Sequence, residues 1–314
     1  MKQKNLVLWI TLAWAVTTTL AAHAQTSMPS TVAPGAELVE IYHDDHAFFE
    51  GPTWDPAGEK LYFTAFFSKP RNQQILRWDE PGKATVWADQ TQGINGTFLS
   101  REGRLLGAQA FGHRVTDYGL GGEGPQDPRT LLHDQTLHQP NDVCQAPDGT
   151  IYFTDPDFKT KTTSAVYRLK DGQAHQVLDD MPLPNGLITS LDGQTLYVGD
   201  SHEKHWRAYP IHPDGTLGQG RLFFDPDTES QQDPDGMTID QAGNLYFTGR
   251  GGVWVVTPQG QSLGLIPVPE FCSNVTFGGP NHQTLFLTCR KKVYTLKMQI
   301  PGPDFPLQKS NRAR

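Results

Sequence analysis

The sequence predicts an all-β fold, a six-bladed β-propeller with four antiparallel strands per blade, and three observations carry that expectation. The chain is rich in turn formers, with 31 glycines and 24 prolines in 314 residues. It has few helical runs of Ala, Leu, Glu and Lys, and the two features together suit short strands joined by tight turns. A small turn followed by an aromatic or β-branched strand recurs six times: DPAGEKLYFTA, SREGRLLGAQ, APDGTIYFTD, SLDGQTLYVGD, DQAGNLYFTG and GGPNHQTLFLT. The turn residues Gly58, Gly103, Gly149, Gly193 and Gly243 stand 44 to 50 residues apart, and Asn281–His282 takes the same place about 39 residues later. Four strands every ~40–50 residues is the spacing of propeller blades. Such regularity over nearly the whole chain argues against a sandwich of unrelated hairpins.

The elements follow in order. Lys2 and Lys4, an apolar run from Leu6 to Leu20, and Ala22-His23-Ala24 make the basic start, apolar middle and A-x-A end of a signal peptide, residues 1–24, cleaved before Gln25. The run is short for a membrane span, which needs ~20 apolar residues. The mature protein is therefore expected in the periplasm or secreted, with no membrane attachment after cleavage. Residues 25–35 read as a flexible N-terminal segment, and 36–300 as a single propeller domain. Ala36–Tyr42 (AELVEIY) is a strand without a blade. Each of the first five units supplies its own hairpin and two further strands, such as AVYRL and AHQVL after Gly149. The sixth ends at KKVYTLKM one strand short. The N-terminal strand most simply completes it, closing the ring and removing two open edges. Residues 301–314 form a C-terminal tail.

Composition excludes several classes. The net charge is −8 and no Lys/Arg cluster marks a phosphate-binding surface, so nucleic acid is not a partner. Three cysteines, Cys144, Cys272 and Cys289, are too few for a disulfide framework or a cysteine zinc site. Cys272 and Cys289 flank the sixth hairpin almost symmetrically, which leaves a disulfide or two free thiols as alternatives. The expected partner is a small molecule, and the expected state a monomer or weak dimer.

Eight residues before each turn stands a carboxylate or an amide: Glu50, Asn95, Asn141, Asn185, Asp235 and Asn274. In a propeller the first strand of each blade lines the central channel, so these six positions face one axis. Any one of them reads as a turn or strand cap. Six oxygen donors in one register, with no Cys or His among them, point instead to a shared hard-cation site, best suited to Ca²⁺. Asp142, His138 and other loop histidines (His113, His202, His205) stand near the same mouth.

At these residues the chain resembles the SMP-30/gluconolactonase/LRE-like family, six-bladed propellers that hydrolyse lactones with one central divalent cation. The matching pieces are EGPTWDPAGEKLYFT, QPNDVCQAPDGTIYFTDP, LPNGLITSLDGQTLYVGDS, DPDGMTIDQAGNLYFTG and NVTFGGPNHQTLFLT, which together span nearly all the mature chain. The resemblance implies metal ligands at Glu50, Asn141, Asn185 and Asp235 and an acid/base role for Asp235. The cation is then Ca²⁺, with Zn²⁺, Mg²⁺ or Mn²⁺ as alternatives. Asn95 and Asn274 match no ligand of the family and stand, with His138 and Asp142, as substrate contacts or supports behind the ligands; Asp142 is also an alternative base. Where members carry an Arg-Leu-Asn-Ser run before the PND, this chain has Thr136 to Gln139, and where they carry Glu-His it has Gln109-Ala110. The metal cage is kept while the residues expected to orient a sugar lactone differ. A related esterase or phosphotriesterase, or a non-catalytic ligand-binding propeller with a structural metal, is the alternative reading.

Overall fold

Six four-stranded antiparallel sheets make up the computed structural model, which describes residues 28–67 and 73–303. The expected signal peptide lies outside the described residues. An N-terminal strand, β1 (Val39–His43), precedes blade one, which comprises β2 (Ala47–Asp55), β3 (Lys60–Phe67), β4 (Gln73–Glu80) and β5 (Lys83–Ala88). Blade two is β6 (Ile94–Leu99), β7 (Arg104–Gln109), β8 (Arg114–Gly119) and β9 (Gln126–His133). Blade three is β10 (Val143–Gln145), β11 (Ile151–Asp155), β12 (Ala165–Lys170) and β13 (Gln173–Leu178). Blade four is β14 (Pro184–Thr189), β15 (Thr195–Asp200), β16 (His205–Pro210) and β17 (Arg221–Phe224). Blade five is β18 (Met237–Ile239), β19 (Leu245–Gly249), β20 (Gly252–Val256) and β21 (Ser262–Pro267). Blade six is β22 (Asn274–Gly278), β23 (Thr284–Cys289) and β24 (Lys292–Lys297), with β1 added beside β24. The chain thus closes its own ring: Val39 pairs with Thr295 and His43 with Lys292.

Packing explains the repeated strand sequence. The core is six apolar clusters, one between each pair of neighbouring blades. Leu106, Val115, Val143 and Phe153 join blades two and three, and Tyr246, Val253, Leu285 and Leu287 join five and six. Second strands such as IYFTD and LYFTG are buried along their whole length because both faces meet a neighbouring blade. The outermost strand β9 is largely exposed and carries charge, which protects a sheet edge. The turn glycines work by conformation: Gly149 sits at φ 93°, where a side chain is strained, and Asp148 accepts the Thr150 N–H at 2.9 Å to close the turn. In blade one the left-handed position is Glu59 at φ 52°, one residue after Gly58.

The expected flexible segment is held where it is described. Val32 bridges Met298, Thr31 accepts the Gln299 N–H at 2.7 Å, and Val32 is buried in the blade five–six cluster. The start of the C-terminal tail is held too, with the Gly302 N–H donating to the His282 carbonyl at 2.8 Å.

Candidate active site

The six mouth residues occupy equivalent places at the heads of the first strands. Glu50 lies opposite Thr64 and Asn274 opposite Thr288. The Asn141 N–H donates to the Thr154 carbonyl at 2.9 Å, and the Asp235 N–H to the Thr248 carbonyl at 3.2 Å. The pairings Ile94–Gln109 and Pro184–Asp200 place Asn95 and Asn185 beside Ala108 and Gly199. The residue after each mouth position explains how closely the ring closes. A Cβ on Gly96 would collide with Asp142, and one on Gly236 with the Asn274 side chain. Glycine is needed at both places so that adjacent blades can approach.

Hydroxyl groups that the sequence did not single out hold this ring together. The Thr64 hydroxyl donates to the Asn95 carbonyl at 2.9 Å, tying blade one to blade two. The Thr248 hydroxyl reaches the Gly236 and Ser273 carbonyls at 2.8 and 3.0 Å, tying five to six. Thr154 accepts the Asp142 N–H at 3.0 Å, and the Ser273 hydroxyl donates to the Phe49 carbonyl at 2.7 Å. The sequence signal for the three threonines is their shared place in the YFT motif of the second strand; Ser273 has no such signal.

One side of the ring concentrates charge. The carboxyl groups of Glu50 and Asp235 lie within hydrogen-bonding reach of each other, and Asp142 is close enough to feel both. Asn274 donates its amide to Glu50 at 3.2 Å, also reaches Asp142, and accepts the Val275 N–H at 2.8 Å with its own oxygen. Asn274 is therefore committed to positioning carboxylates. Burial pushes Glu50 up to about 7, against the stabilising Gly51 N–H and Asn274 amide. Burial, and then the charge of Glu50, push Asp142 up to about 8. Asp235 is raised well above the usual carboxylate range by burial and by both neighbours. Of the three, Asp235 has the more exposed position, at the mouth itself.

The other side presents neutral oxygens without partners. The Asn185 amide donates to the Ser201 hydroxyl at 3.1 Å, which donates on to the Pro234 carbonyl at 2.6 Å. The Asn185 oxygen is left buried and unbonded, as are the Asn95 and Gln109 side-chain oxygens. Buried acceptors of this kind rarely lack a partner. Carboxylates without a counter-charge beside amide oxygens without a donor fit a hard dication, whose oxygen shell they would complete. Among the described residues no three His, Cys, Asp or Glu side chains converge as a metal site by themselves. The amides are necessary to the set.

The remaining candidates do other work. The N–H groups of His138 and Gln139 donate to Asp155 at 2.9 and 2.8 Å, and His202 and Glu203 donate likewise to Asp200. Asp155 and Asp200 thus shape the loops leading to and from the mouth. His113 bonds the Leu137 carbonyl at 2.8 Å. Cys272 and Cys289 stand beside each other as buried thiols. Beneath the ring the channel narrows to a cavity of about 50 Å³, lined by Thr53, Thr97, Asp142, Thr238 and Asn274, with His282 and Pro303 also on its wall.

Residues 48–291 match the SMP-30/gluconolactonase/LRE-like region. The chain belongs to this family. The gluconolactonase of Zymomonas mobilis is 27% identical over 84% of this chain and 82% of its own. The pentonolactonase XacC of Haloferax volcanii is 28% identical over 76% and 80%. Among solved structures, a gluconolactonase from Xanthomonas campestris superposes with a TM-score of 0.73 at 30% identity, covering 86% of this chain and 91% of that one. The calcium-binding protein regucalcin from Agrobacterium tumefaciens shares the fold, with a TM-score of 0.67 at 18% identity over 84% and 96%. In this member of the family, the six blades and the polar mouth are built by one repeated hairpin.

Proposed function

We propose that this protein is an exported, divalent-cation-dependent hydrolase that opens a lactone at the channel mouth. The observation that carries the reading is the meeting of the Glu50 and Asp235 carboxyl groups, with unbonded amide oxygens across the same axis. Lactone opening is also the activity named for the gluconolactonase and pentonolactonase relatives. Export follows from the basic, apolar and A-x-A succession of residues 1–24.

Glu50, Asn141, Asn185 and Asp235 would hold the cation, and their all-oxygen chemistry suits Ca²⁺ before Zn²⁺, Mg²⁺ or Mn²⁺. Bound there, it would supply Lewis-acid polarisation of the lactone carbonyl. Asp235, the carboxylate at the mouth, takes a proton from the attacking water. The water oxygen bonds to the carbonyl carbon, the ring C–O bond breaks, and Asp235 returns the proton to the departing ring oxygen. Glu50 fixes Asp235's surroundings, and Asn274 holds Glu50 and Asp142 in place through its amide.

A panel of lactones, aryl esters and phosphotriesters, assayed with and without EDTA, tests the reading. Lactone turnover is expected, abolished by chelation, restored by Ca²⁺, and lowered ~10²–10⁴-fold in Asp235→Asn. If no lactone or ester is opened, and chelation and Asp235→Asn alter stability only, the protein is a ligand-binding propeller instead.

A further inference from the structure

The rim above Glu50 carries a wall of aromatic rings. Phe48 and Glu50 are two residues apart on β2, with Phe48 opposite Phe66 and Glu50 opposite Thr64, so both point to the same side of the strand. Phe271, from the loop entering blade six, stacks on Phe48 with ring centroids 6.4 Å apart and planes 24° apart. These rings and Phe67 form one wall of an open cleft of about 430 Å³ at the seam of blades one and six, whose edge carries Asp45, His46, Arg290 and Lys291. The same seam runs to the mouth, where the Asn274 amide bonds Glu50 and the Ser273 hydroxyl bonds the Phe49 carbonyl. Phe48 is 37% exposed, and Phe111 and Phe158, in the loops of blades two and three on the same end of the propeller, are 45% and 43% exposed. Aromatic rings left in water around a polar site mark a place for an apolar partner. On the far arc, blade four and the loop before blade five present His202, Lys204 and Asp233 instead.

We infer that the Phe48–Phe66–Phe271 cleft receives an alkyl or aryl substituent carried on the lactone ring, so that the substrate class is an apolar-substituted lactone and not a polyhydroxylated sugar lactone. This deepens the lactonase reading and rests on it. A sugar lactone brings hydroxyl groups to the phenyl wall, which offers them no hydrogen-bond partner, while Lys291 and Asp45 on the edge of the cleft pair with each other at 3.4 Å. An alkyl chain leaving the ring toward blades one and six would replace water on three phenyl faces. The polar ring below holds the reacting ester in either case, so the cleft sets selectivity and the ring sets chemistry.

Two measurements on the Ca²⁺-loaded full chain test this. The first is kcat/KM across δ-lactones bearing alkyl chains of increasing length, an aryl-fused lactone, and gluconolactone. The second is calorimetric binding of a non-hydrolysable series, the 2-alkylcyclopentanones. Both are expected to rise ~3-fold per methylene over the first few carbons, since each buried methylene is worth ~0.8 kcal/mol at full burial and this cleft is open. Gluconolactone is expected at least ~10-fold below the best substituted lactone. Phe271→Ala flattens both slopes, whereas Phe271→Leu, which keeps an apolar wall, preserves them. A slope in binding without turnover of any lactone upholds the cleft and removes the lactonase reading. A flat binding series, or slopes unchanged in Phe271→Ala, overturns the cleft whatever the turnover.

Discussion

Blades one and five differ from blades two and four at both strands of the same hairpin. In one and five the mouth carries a carboxylate, Glu50 or Asp235, and the neighbouring strand carries Thr64 or Thr248 beside it, whose hydroxyl ties the blade to the next. In two and four the mouth carries Asn95 or Asn185, Ala108 or Gly199 replaces the threonine, and acceptor oxygens are left unbonded. One repeat has been divided between fixing negative charge and presenting neutral oxygens. Neither half is well satisfied alone, since buried charge and buried unbonded acceptors both cost free energy. A dication would satisfy both together, so the proposed site rests on the contrast more than on any single residue.

The contrast breaks most completely at the charged half. Glu50→Gln is expected to weaken Ca²⁺ binding on the order of 10²-fold or more, because a full charge in a low-dielectric site is lost. Asn185→Ala removes one neutral oxygen and is expected to cost about tenfold, equivalent to ~1.4 kcal/mol. Calorimetric titration of Ca²⁺ into chelated protein measures both. Equal losses would mean that the two halves are not different in kind.

A second effect sharpens the comparison without mutation. Glu50 and Asp142 titrate in the fold near 7 and 8, above their ordinary values of 4.5 and 3.8, so the fold favours their protonated forms. Between those limits the native state binds more protons than the unfolded chain, and stability must fall as pH rises. In EDTA the contribution is fully present below about pH 4, declines through pH 5–8 and is lost above, lowering Tm on the order of 10 °C. Saturating Ca²⁺ is expected to remove the slope, because the carboxylates then gain from ionising. A Tm in EDTA that holds or rises from pH 5 to 8 would contradict the assignment of raised values to this cluster.

What the sequence shows of this arrangement follows from what is local in it. The turn glycine, the eight-residue step to the mouth residue and the aromatic strand between them all lie within one hairpin, so the blade count and the oxygen ring can be read directly. The division of labour between blades is not local. Thr248 looks like an ordinary strand residue until its hydroxyl is found on the Ser273 carbonyl of the next blade. Asn274 matches Asn185 in register, yet two carboxylates take its amide N–H groups and the Val275 N–H takes its oxygen. Phe48 and Phe49 are adjacent in one strand and point to opposite faces, and which face is covered is decided by the neighbouring blade, which buries Phe49 fully and leaves Phe48 37% exposed. Val32 lies in a polar, proline-flanked stretch that reads as loose, and its partner Met298 is at the opposite end of the chain.

The smallest expected effect separates scaffold from site. Thr248→Val keeps the shape of the side chain and removes the hydroxyl that serves the Gly236 and Ser273 carbonyls at 2.8 and 3.0 Å. Leaving buried carbonyls short of a donor costs ~1–3 kcal/mol, which is a few degrees in Tm for a chain of this size. Ca²⁺ affinity should change less than ~3-fold, since Thr248 presents no atom to the axis and the Asp235 N–H still reaches the Thr248 backbone carbonyl. Ala108 and Gly199 support that expectation, because two blades keep their place in the ring with no hydroxyl at this position. A loss of cation binding as large as that of Glu50→Gln would instead place the threonine with the charged half. The tie between blades five and six would then set the position of Asp235 as well as the stability of the ring.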